Sequence, residues 1–89
     1  MNLQNPKYCF KDGKIYNRQS GEVIPDDEPV MVFRARDRHA IDVIIYYLSI
    51  INNVEHKIAV SRIVGDFAQF AIKHDDRMKE PDTQLNLFD

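Results

Sequence analysis

The sequence predicts an α+β fold: a small antiparallel β-sheet, made of a hairpin plus one or two further strands, followed by two α-helices and a flexible C-terminal tail. Three observations predict it: Asp12-Gly13 between aromatic-rich runs, apolar residues at helical spacing from Ile41 onward, and Pro81 in a polar end segment. Eighty-nine residues leave room for one core, so residues 1–79 read as a single small domain and 80–89 as the tail.

The hairpin comes first. Tyr8 to Asn17 reads YCFKDGKIYN, and Asp12-Gly13 supplies the two positive-φ residues of a type I′ turn. That turn sets Phe10 opposite Ile15 and Cys9 opposite Tyr16, an apolar cross-strand pair on each face. A second reversal at Asn17 to Gly21 returns the chain through a short strand at Glu22 to Ile24. Pro25 and Pro29 bound an acidic loop, Asp26-Asp27-Glu28, that cannot continue a central strand. Val30 to Arg36 then alternates, with Met31, Phe33 and Ala35 on the side expected to face the core and Val30, Val32, Arg34 and Arg36 on the other.

The helices follow. Asp37 is a suitable N-cap, and Ile41, Ile44, Ile45, Leu48 and Ile51 recur at helical spacing, so helix 1 is expected over about residues 38–52. Its other face carries Val43, Tyr46, Tyr47 and Ile50, leaving little polar surface. That pattern predicts burial among several elements or in a homodimer interface. The run is too short to span a bilayer, which needs roughly 20 apolar residues. Asn52 with Glu55 has the spacing of a capping box, and Ala59, Val60, Ile63, Val64, Phe67, Phe70 and Ala71 form the stripe of helix 2, expected over about 55–76. Gly65 weakens that helix by roughly 1 kcal/mol relative to Ala.

Composition narrows the function. The chain is 44% hydrophobic and 29% charged with a formal net charge of -2, so its total charge draws it to neither nucleic acid nor membrane. The lone Cys9 cannot form an internal disulfide, and the N-terminus has no apolar signal core, which together predict a reducing cytoplasm. His39, His56 and His74 lack the paired spacing of metal ligands, Asp37-Arg38-His39 reads as a capped helix start, and Cys9 has no activating neighbour. No Gly-rich phosphate loop or serine-nucleophile motif is present. The expectation is a protein without catalytic residues, metal or cofactor.

Arg34, Arg36 and Arg38 stand at alternate positions, which on an extended chain puts at least the first two side chains on one edge. They are the residues from which a phosphate-binding strip would be built, with Lys11, Lys14 and Arg18 as neighbours, against the plainer reading of a solvated face balanced by Asp26, Asp27 and Glu28.

The tail carries the sharpest signal. Gln84-Leu85-Asn86-Leu87-Phe88 places three large apolar residues in a segment too short to build its own core. Full burial of Leu87 and Phe88 in a partner's pocket would yield roughly 3–6 kcal/mol. The pentapeptide resembles the bacterial sliding-clamp-binding motif, Gln-Leu, a small polar residue, then Leu-Phe, and agrees at all five places. In that family an extended peptide docks in a cleft on each clamp subunit. The resemblance implies that Gln84 offers its amide to a polar subsite, Leu85 packs beside it, Asn86 bridges, and Leu87 and Phe88 fill the apolar pocket. Separately, GKIYNRQSGEVIPDDEPVMVFRARD is similar to stretches of small uncharacterised phage and mobile-element proteins.

The leading expectation is therefore a small non-enzymatic protein that binds the bacterial DNA sliding clamp through QLNLF, modulating or inhibiting host replication or repair. Two further readings stay open: a nucleic-acid-binding regulator using the basic strand, and an inhibitor or interaction protein acting through the acidic loop or helix 1.

Overall fold

A computed structural model describes residue 5 and residues 7–83. The architecture is α+β: a two-stranded antiparallel hairpin, β1 (Tyr8–Lys11) and β2 (Lys14–Asn17), precedes two helices, α1 (Ala40–Ile50) and α2 (Val54–Lys73). Asp12 at φ 51° and Gly13 at φ 75° make the turn, and the register sets Phe10 against Ile15 and Cys9 against Tyr16, as the two-residue loop requires. Asn17 organises the second reversal: its side-chain oxygen accepts from the amides of Gln19 (2.9 Å) and Ser20 (3.1 Å), and Gly21 takes the left-handed position at φ 76°.

The sheet stops there. Residues 22–24, expected as a strand, contribute a single bridge, Tyr16 with Val23, supported by the Ile24 amide donating to the Ile15 carbonyl at 2.9 Å. Residues 30–36, expected as a further strand, join no ladder. Residues 29–34 run without turn or bend, and a turn closed by the Asp37 amide on the Arg34 carbonyl (3.1 Å) ends the run. Alternation marked a chain suited to a pleat, but a strand exists only where another pairs with it, and Pro25 and Pro29 separate this segment from the hairpin edge. Met31, expected inward, is 76% exposed, whereas Phe33 and Ala35 are half-buried.

α1 and α2 pack against each other and are joined by residues 51–53. The cap of α2 is Asn53 rather than Asn52; its side chain accepts from the His56 amide at 2.8 Å. α1 begins at Ala40 with His39 at the N-cap position, two residues later than expected, because Asp37 is engaged elsewhere. Asp37 bridges Lys79 in parallel, and its carboxylate accepts from the His39 amide (2.8 Å) in an Asx turn. Among the described residues Ala40 and Val60 are the buried hydrophobic ones, and the α2 stripe from Ala59 to Ala71, with Val60 in it, is otherwise half-buried. Among the described residues the hairpin does not pack on the helices. The two halves face each other across an open groove of about 920 Å³.

A clip closes the helical half. The Lys79 amide donates to the Arg36 carbonyl (2.9 Å), the Arg38 amide to the Lys79 carbonyl (3.0 Å), and the Arg38 guanidinium to the Met78 carbonyl (3.2 Å). Residues 36–39 and 78–80 thus lie side by side.

Candidate functional site

Gln84, Leu85, Asn86, Leu87 and Phe88 lie outside the described residues. The chain leading to them is described: Pro81, Asp82 and Thr83 are exposed, and Asp82 meets the Lys79 ammonium at 3.5 Å. Glu80, expected to belong to the tail, belongs to the clip, since both of its carboxylate oxygens reach His39 Nε2, at 2.7 and 2.8 Å. That hydrogen bond, with the charge of Glu80 and smaller contributions from Asp37 and Asp42, raises the His39 pKa above its ordinary value against a slight desolvation penalty.

The arginines do not form the strip their spacing suggested. The turn at Arg34–Asp37 interrupts the alternation between Arg34 and Arg36, and Arg38 is committed to the clip. Arg34 and Arg36 line the groove together with Arg77, whose guanidinium lies 4.9 Å from the Phe70 ring centre. Among the described residues no carboxylate lies within ion-pair distance of Arg34 or Arg36, so Asp26, Asp27 and Glu28 do not balance them within one chain. Lys11 and Lys14 face each other beside the hairpin turn, and the Arg18 side chain donates to the Tyr8 carbonyl at 2.9 Å.

The three histidines serve separate local contacts. His39 holds Glu80, His56 Nε2 lies 3.0 Å from the Tyr47 hydroxyl with the rings edge to face, and His74 stacks at a tilt on Phe70. Among the described residues no three His, Cys, Asp or Glu side chains converge into a metal-binding group. Cys9 is half-buried in β1.

Apolar surface dominates what remains. Tyr46 is 68% and Ile50 59% exposed on the outer face of α1, while Val43 and Tyr47, also exposed, line the groove. The groove wall adds Ile15 and Ile24 from the hairpin side against Ile63 and Phe67 from α2. The sequence carried the signal for the α1 face in its missing polar stripe. It carried none for the groove, which depends on where residues 25–36 lead the hairpin. No family model, curated protein or solved structure matches the chain. Among the described residues no helix is long and apolar enough to cross a membrane.

Proposed function

We propose that this is a small non-enzymatic binding protein that engages the bacterial DNA sliding clamp through Gln84, Leu85, Asn86, Leu87 and Phe88, and so modulates or inhibits replication or repair in a bacterial host, as a phage or mobile-element protein would. The observation that carries the reading is the five-place agreement of the pentapeptide with the clamp-binding motif. The exposure of residues 81–83 supports it, because a peptide that docks extended in a cleft needs an accessible approach. The outer face of α1 supports a protein partner in addition.

Ordering five residues costs roughly 1–2 kcal/mol each, so affinity rests on near-complete burial of the two anchors. Immobilised clamp is expected to capture the full chain and the Glu80–Asp89 peptide. Leu87→Ala with Phe88→Ala is expected to abolish capture, while Asn86→Ser leaves it nearly unchanged. Equal capture of wild type and the double variant would refute the reading.

A nucleic-acid-binding role keeps one observation in its favour, the arginine pair Arg34 and Arg36 with no carboxylate within ion-pair distance among the described residues. Binding to duplex DNA that weakens steeply with salt and survives removal of the tail would establish it instead.

A further inference from the structure

We propose that residues 30–34 are an interchain strand, pairing antiparallel with the same segment of a second copy about a two-fold axis at Val32. The contact is separate from the tail and stands whether or not the clamp reading holds.

The backbone of this segment is unspent. Among the described residues, none of the amides from Val30 to Arg34 donates a hydrogen bond, and none of the carbonyls from Val30 to Phe33 accepts one. Around them Met31 and Val32 (61% exposed) present apolar side chains to water. A row of open donors and acceptors flanked by apolar side chains is a template for another strand. Among the described residues the segment joins no ladder, and its β-branched, alternating composition suits a pleat.

Symmetry and charge select a second copy and fix the register. In a two-fold antiparallel pair the axis must pass through one residue facing its own counterpart, since an axis between residues would equate a hydrogen-bonded pair with a non-bonded one. An axis at Met31 brings Pro29, which has no amide to donate, into the ladder opposite Phe33. An axis at Phe33 needs Ala35 and Arg36 in the ladder, but the Arg34–Asp37 turn withdraws both. An axis at Val32 uses the straight run alone: Val30 faces Arg34, Met31 faces Phe33 and Val32 faces Val32.

That register carries the acidic loop of each copy toward the basic end of its partner. Beyond the ladder, the loop Asp26 to Glu28, which meets no cation among the described residues of its own chain, lies on the side of the partner's Arg34 and Arg36, which meet no carboxylate among theirs. Like charges do not face each other within the ladder. A strand from an unrelated protein would satisfy the amides equally well, but nothing would match it to both charged ends.

Cross-linking tests the register and sedimentation tests the dimer. Directly opposed residues in an antiparallel pair have Cα atoms about 4.5–5.5 Å apart, inside the 4.4–6.8 Å range a disulfide accepts. In a Cys9→Ser background, Val32→Cys is expected to form a covalent dimer under mild oxidation about ten times faster than Val30→Cys or Ile72→Cys. Wild type at tens of micromolar is expected to sediment at about twice the 10.4 kDa chain mass. Met31→Pro with Val32→Pro, which removes amides that bond nothing in the monomer, is expected to sediment as a single chain with an unchanged far-UV spectrum. A monomeric wild type would overturn the proposal. So would equal cross-linking rates, or a dimer that survives the double proline variant and dissociates with Tyr46→Arg and Ile50→Arg, which would place the contact on α1.

Discussion

Gly65 lies in the middle of α2 with nothing within 4 Å of the point where a Cβ would project. Alanine there is expected to raise stability by roughly 0.5–1 kcal/mol, read as a higher urea midpoint at constant slope, because helix geometry restrains glycine more than any other residue. Gly13 has the same open surroundings and the opposite expectation: at φ 75° a Cβ is strained by about 1–2 kcal/mol whatever the space. Asn53→Ala removes the oxygen that receives the His56 amide and is expected to cost about 1 kcal/mol. His39 makes stability depend on pH. Its pKa is raised in the folded chain, so the stabilising effect of its contact with Glu80 is fully present below the unfolded value near 6.5 and is lost as pH rises through the folded value. Melting temperatures of wild type and Glu80→Gln are therefore expected to differ at about pH 5.5 and to converge toward pH 8.

At the scale of elements, the parts legible in the sequence are those governed by near neighbours. Asp12-Gly13 admits one turn type, and that turn dictates the cross-strand partners of Phe10 and Cys9. The stripe from Ala59 to Ala71 needs no knowledge of what it faces. Of two adjacent asparagines, the spacing to Glu55 selected Asn52, one position before the cap that the structure forms at Asn53. Residues 30–36 misled more deeply: alternation reports a preference for the pleat and is silent on a partner. The clip was invisible for a related reason, since His39 and Glu80 are 41 positions apart and neither anticipates the other. Of the proposed site, the tail was legible as a motif, whereas Arg34, Arg36 and Arg38 were placed in one row by a periodicity that the Arg34–Asp37 turn breaks. The hairpin and the helices are also expected to differ in local stability. A two-stranded ribbon with no packed neighbour opens readily, so amides of β1 and β2 should exchange hydrogen faster than those near Val60 in α2.

At the scale of the whole molecule, two buried hydrophobic residues among those described are a thin core, and the apolar groove and the outer face of α1 show where further burial is available. A second copy would supply part of it. It would also give two tails on one body, so that engagement of two clamp subunits would raise the apparent affinity well above that of the free peptide wherever the spacing permits. The clip adds a mechanical property. Because residues 36–39 and 78–80 are bonded side by side, tension applied between the tail and the N-terminal half runs straight across those few bonds and leaves α1 and α2 unloaded. Stretching the chain between handles at positions 35 and 81 should thus show no gradual unwinding. It should hold, then give way in one step that releases the hidden length of residues 37–79, roughly 140 Å of extended chain less the short initial gap.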